Sequence, residues 1–207
     1  MNRLYLVLVI AIVLFLFIRY FQIKEYGSNK ELFSSDLADV SLPINNVDNF
    51  GLKKLYNEPH ILLIDNFLSP EECEHIIKVG DPLVRKSEVC GKNGSRPDKS
   101  RTSWTAHIGK QLITKDKKDK VLMNIYEKAA RFCNRSSKNI EPIQLVRYKP
   151  GQFFKSHYDY LDTRVPMYKS NVEKNGQREV TFFVYLNDVP DGIGGETHFK
   201  NSLAITW

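Results

Sequence analysis

The chain has 207 residues, of which 42% are hydrophobic and 26% charged, with a formal net charge of +6. That balance excludes a disordered or collagen-like chain and allows one ordinary domain plus an appendage. The lysines are scattered and no basic face carries interleaved aromatics, so no nucleic-acid partner is expected. Cys73, Cys90 and Cys133 are three and widely spaced, which makes neither a disulfide framework nor a CxxC metal site. Which two of them could pair in an oxidising lumen stays open.

Leu4 to Ile18 is an unbroken apolar run, followed by Arg19, Tyr20 and Phe21. As a helix over 4–21 it approaches the ~30 Å of a hydrocarbon core. No Ala-x-Ala follows it, so an uncleaved transmembrane signal anchor is expected over a cleaved signal peptide or a buried core helix. Basic residues flank both ends, and the orientation stays open. Residues 22–58 are polar, with Ser34-Ser35, Pro43 and Asn45-Asn46, and read as a linker or stalk. The remainder, 59–207, reads as the domain.

Ile61 to Asp65 is a short apolar strand. Ser69-Pro70-Glu71-Glu72 then opens a helix: Ser69 suits the N-cap, Pro70 the first helical position, and Glu72 closes a capping box. Cys73 lies on that helix and is expected to be a packed residue. Gly91 to Ser100 is a loop by composition, and Arg101 to Thr105 reads as a strand. Trp104 is either a core aromatic or part of a site wall, and His107 has no evident partner. Val121, Leu122, Ile125, Ala129 and Phe132 share one helical face, which predicts a second amphipathic helix.

Gln144 to Tyr148 reads as a strand, and Phe153 to Asp159 as a second, after the Lys149-Pro150-Gly151 turn. In a strand, residues i and i+2 share a face with Cα atoms about 6–7 Å apart. His157 and Asp159 would then project side by side, able to share one metal ion. Histidine and carboxylate ligands that leave open positions suit non-haem Fe(II). Thr163 to Asn175 reads as a polar loop, and Val180 to Leu186 as a strand buried on both faces.

Tyr148-Lys149-Pro150-Gly151-Gln152, His157-Tyr158-Asp159, Gly176-Gln177-Arg178-Glu179-Val180-Thr181, Tyr185-Leu186-Asn187-Asp188 and Gly194-Gly195-Glu196-Thr197-His198-Phe199 follow in this order. The series resembles the catalytic domain of the prolyl 4-hydroxylases, which are Fe(II)- and 2-oxoglutarate-dependent dioxygenases. The likeness runs from about Ile61 to Phe199. It implies a mainly β fold with flanking helices, a double-stranded β-helix or jelly roll. His157 and Asp159 match iron ligands, Tyr148 and Thr197 match hydroxyls that bind 2-oxoglutarate, and Arg178 matches a position on the substrate side. Phe154 stands where family members can carry a tyrosine. The resemblance also implies ascorbate, O₂ and a proline-containing peptide as partners. The implied reaction makes succinate and CO₂ from 2-oxoglutarate while hydroxylating a prolyl C4. It further implies a luminal domain on a single-pass secretory membrane, in the endoplasmic reticulum or beyond.

The family's distal third-ligand His and its 2-oxoglutarate Lys lie further on than Trp207. A C-terminally incomplete jelly roll is therefore expected, with a membrane-anchored, inactive peptide-binding pseudoenzyme as the alternative. Strand alternation argues against His198 as the third ligand, because Thr197 and His198 would face opposite ways.

Overall fold

A computed structural model describes residues 11–20, 51–56, 61–91, 94–109, 119–190 and 192–199. In chain order these form β1 (Ala11–Tyr20), β2 (Leu52–Tyr56), β3 (Ile61–Ile64), α1 (Pro70–Gly80), β4 (Arg85–Lys86), β5 (Val89–Gly91) and β6 (Gly94–Arg96). Then come β7 (Trp104–Ile108), α2 (Lys120–Phe132), β8 (Ile143–Tyr148), α3 (Pro166–Asn175) and β9 (Gln177–Tyr185). The described chain is thus mainly β with helices. One antiparallel sheet has the order β4-β7-β8-β1-β9, and the hairpins β2-β3 and β5-β6 stand apart from it.

α1 begins as its sequence dictates. The Ser69 hydroxyl accepts from the Glu72 amide at 3.2 Å, and the Glu72 carboxylate accepts from the Ser69 amide at 3.0 Å. α2 is capped by Asp119, which accepts from the amides of Val121 and Leu122. Its buried face is Leu122, Ile125, Tyr126, Ala129 and Ala130, and Asn134, at φ 48°, takes the left-handed position just past its end. The two helices are tied at their polar edges by Lys128 on Glu72 at 2.8 Å and His75 on Asp119 at 2.7 Å.

The core lies between these helices and the sheet: Ile76, Ile108, Leu122, Ile125, Ile143 and Leu145 are sealed from solvent, with Val184 and Leu186 closing the β9 side. Gly80 has an ordinary φ of −83°, so space rather than backbone demands the glycine. A Cβ there would overlap the Leu145 side chain and crowd Ile108. The Tyr126 hydroxyl accepts from the Ile143 amide at 3.1 Å, so α2 also anchors the start of β8.

Several expectations change. Residues 11–20, expected within a membrane helix, form the strand between β8 and β9, where Leu14 stands opposite both Leu145 and Val184. Residues 4–10 and 21 of that expected helix lie outside the described residues. Among the described residues no helix is long and apolar enough to cross a membrane. Residues 52–56, inside the expected linker, pair with Ile61–Ile64; the rest of 22–50 and 57–58 falls outside the described residues, apart from where Gly51 accepts from the Asp65 amide at 3.1 Å. The loop expected over 91–100 contains one arm of the β5-β6 hairpin. The loop expected over 163–175 contains α3, which buries no residue and so has no apolar stripe to announce it. β9 is not buried on both faces: Val184 is buried on one face, while on the other Thr181 is exposed and Phe183 and Tyr185 are only half-buried.

Candidate metal and co-substrate site

Phe153 to Asp159 does not form the expected strand. It touches the rest of the sheet system through a single bridge, Arg101 with Phe154, reinforced by hydrogen bonds. The Thr102 amide donates to the Phe153 carbonyl at 2.9 Å and the Lys155 amide to the Ser100 carbonyl at 2.8 Å. The chain then bends, and the bend, not strand alternation, brings His157 and Asp159 together.

Their geometry is specific. His157 Nδ1 lies 2.8 Å from the Lys155 carbonyl oxygen. A carbonyl only accepts, so Nδ1 carries the proton and the neutral ring leaves Nε2 bare. Nε2 lies 3.3 Å from Asp159 Oδ1. The other carboxylate oxygen, Oδ2, accepts from the Thr181 hydroxyl at 2.7 Å. Two acceptors therefore face each other and call for a proton or a cation between them. Donors about 2.1 Å from one ion and at right angles to each other sit about 3.0 Å apart, so the pair fits two positions on one metal. Outer bonds of this kind, to the second ring nitrogen and the second carboxylate oxygen, are what orient metal ligands.

The metal-free electrostatics agree. Burial opposes charge on His157, but the bonds to Asp159 and the Lys155 carbonyl outweigh it and raise its pKa. Burial likewise opposes charge on Asp159, yet His157 and Thr181 together hold its carboxyl below the usual range. Among the described residues no group of three or more His, Cys, Asp or Glu side chains converges. His198 is exposed.

The loop after Asp159 is pinned by the start of β9. Gln177 accepts from the Leu161 amide and donates to the Leu161 carbonyl, both at 2.9 Å. Arg178 turns its guanidinium fork to Glu141 with bonds of 2.9 Å each, and reaches the Asp159 carbonyl at 3.4 Å. Arg178 thus braces the Asp159 backbone in this structure. Thr181, Gln177 and Glu141 were not singled out from the sequence as site residues. Gln177 and Thr181 do lie within the Gly176-to-Thr181 motif, but nothing in the sequence pairs Glu141 with Arg178.

The hydroxyl positions form a neighbouring group. Tyr148 and Tyr185 pack with Phe183 around Val146. Burial pushes the Tyr148 pKa up, partly offset by the nearby Arg101 charge and the Ser103 side chain. The Tyr185 hydroxyl donates to the Gly195 carbonyl at 3.0 Å and accepts from Thr197 at 2.8 Å. Thr181, Phe183 and Tyr185 alternate along β9 with Phe182 and Val184, which join the helix-side core. One face of β9 therefore serves both Asp159 and Thr197. Trp104 is 37% exposed, so it is not a core aromatic. It lines a separate cavity of about 200 Å³ with Asp81, Val84, Arg147 and Lys149.

The cysteines take no part in the site. All three are free; burial raises the Cys73 thiol pKa and pushes that of Cys133 up to about 11.

Residues 143–206 match the family model of the 2OG-Fe(II) oxygenase superfamily. The chain carries a domain of that oxygenase class, with His157 and Asp159 inside the matched segment. Its relatives narrow the class. Prolyl 4-hydroxylase 1 of Arabidopsis thaliana is 34% identical over 142 residues, 68% of this chain and 47% of the relative. Prolyl 4-hydroxylase 5 of the same plant is 33% identical over 156 residues, covering 72% and 49%. Probable prolyl 4-hydroxylase 8 is 31% identical over 176 residues, covering 79% and 56%. The domain is prolyl 4-hydroxylase-like, and the chain spans about half the length of the curated relatives it matches.

Proposed function

We propose that the protein is a 2-oxoglutarate- and Fe(II)-dependent dioxygenase that hydroxylates prolyl residues in Pro-rich or collagen-like peptides, on a jelly-roll frame. The observation that carries the reading is the 3.3 Å approach of His157 Nε2 to Asp159 Oδ1, with both outer atoms already held. When bound, Fe(II) supplies the redox centre at which O₂ is used. The chain's own residues do the rest. His157 and Asp159 hold the metal, and the hydroxyls of Tyr148 and Thr197 offer hydrogen bonds to 2-oxoglutarate. Arg178 keeps the Asp159 loop in place and lies toward the substrate side. The balance is 2-oxoglutarate, O₂ and a prolyl C–H giving succinate, CO₂ and a prolyl C–OH, with ascorbate keeping the iron reduced.

The test supplies full-length protein with Fe(II), ascorbate, 2-oxoglutarate and a Pro-rich peptide. Succinate formed in step with one oxygen atom added per hydroxylated proline supports the reading. Peptide binding without either product counts against it.

The apolar run from Leu4 to Ile18 supports a second part of the proposal, a luminal domain held at a secretory membrane. That arrangement requires residues 11–20 to leave the sheet for a helix. Carbonate extraction checks it: full-length protein should stay with the membranes, and release without N-terminal cleavage would refute the anchor.

A further inference from the structure

The imidazole of His157 is held from a side that the metal-site reading does not use. The Phe154 ring stacks on it with centroids 3.7 Å apart and planes 20° from parallel. The Arg101 guanidinium carbon lies 4.6 Å from the centroid of the same Phe154 ring. Two flat groups that close to one ring cannot share a face, so Phe154 lies between them in a three-layer stack.

The outer layer is itself braced. Arg101 donates to the Glu88 carbonyl at 3.2 Å and to the Thr105 hydroxyl at 3.1 Å. Thr105 in turn bonds Ser87 at 2.7 Å, and Ser87 bonds Ser103 at 2.8 Å, all three of them buried. Backbone pairing of Arg101 with Phe154 keeps the middle layer in register. The guanidinium gains a cation–π contact and the two rings a stacking contact.

We infer that Arg101 and Phe154 are positioning residues that clamp the His157 imidazole, so that Nε2 faces Asp159 before any metal arrives. The hydrogen bond to Lys155 sets the tautomer but leaves the ring free to swing about that bond. The stack removes this freedom, because rotating the imidazole out of plane would break its contact with Phe154. The requirement is for a flat ring at 154, not for its hydroxyl, and Phe154 supplies the ring alone. The inference rests on His157 being a metal ligand, but the clamp is visible without metal.

The test has a metal-free arm and a metal arm on the full chain. In the first, NMR of ¹⁵N-labelled histidines in metal-free protein should show His157 ring protons moved upfield by the Phe154 ring. Phe154→Leu should remove that displacement and Phe154→Tyr should keep it. In the second, Mn(II) titration followed by electron paramagnetic resonance should show affinity about tenfold or more weaker in Phe154→Leu, the scale of outer-shell losses at metal sites. Phe154→Tyr should match the wild type, and Arg101→Lys, which keeps the charge but not the planar fork, should fall between. Unshifted His157 ring protons in the wild type would overturn the clamp. So would equal Mn(II) affinity in Phe154→Leu, or a Tyr variant as weak as the Leu one. A stacked His157 in a chain that takes up no Mn(II) keeps the clamp and sinks the metal-site reading instead.

Discussion

Asp159→Ala is expected to abolish divalent-metal binding, a loss of more than about 100-fold. Outer-shell changes at metal sites alone cost about 10–100-fold, and this substitution removes a donor itself. It also strands Thr181, whose hydroxyl now bonds Oδ2 at 2.7 Å. Thr181→Val is the graded companion: the carboxylate stays but its orienting bond is lost, so affinity should fall without vanishing, and Thr181→Ser should recover it. Mn(II) titration separates the three variants. A second signature needs no metal. Asp159 is a main source of the raised His157 pKa, against the opposing effect of burial. NMR titration of Asp159→Ala should therefore find the His157 midpoint at lower pH. In the wild type, protons and metal compete for the same Nε2, so metal affinity should weaken as pH falls through the raised His157 pKa. Asp159→Ala protein that binds metal as the wild type does would remove Asp159 from the site.

Glu141→Ala should be the most destabilising single change near the site. The Glu141 and Arg178 side chains are 14% and 21% exposed and share a two-pronged ion pair. Breaking a fully buried pair costs about 3–5 kcal/mol, chiefly through the charge left behind. With a fifth of the arginine in water, roughly 2–4 kcal/mol is expected here. Glu141→Gln keeps the shape and a hydrogen-bond acceptor and should cost less. Urea unfolding midpoints measure both. The freed guanidinium would also loosen its hold on the Asp159 carbonyl, so metal affinity should drop with stability. An unchanged unfolding midpoint in Glu141→Ala would show that the pair contributes nothing.

Much of the frame was legible because its causes are local. Ser69, Pro70 and Glu72 make a capping box wherever they occur before a helical stretch, and α1 starts there. The apolar spacing of Leu122, Ile125 and Ala129 encodes the buried face of α2. Gln144 to Tyr148 carries the strand propensity that β8 expresses. The pairing of His157 with Asp159 was also legible, but for a different physical reason than alternation along a strand. Their segment is bent, and what joins them is the Lys155 carbonyl on one side and Thr181, on a strand far along the chain, on the other.

By itself, then, the sequence determined the start of α1, the apolar faces of α1 and α2, and the oxygenase motifs with His157 and Asp159 among them, since each depends on residues within a few positions of one another. Only the tertiary structure decided the rest. α3 has no buried face for periodicity to reveal. For residues 11–20 an apolar run suits a bilayer and a sheet interior equally, and the partners they take here in β8 and β9 are remote in the chain. Glu141 meets Arg178 across 37 residues, and Arg101 reaches Phe154 across the fold. Contacts of that kind arise when the chain closes on itself, and no local pattern of residue types records them.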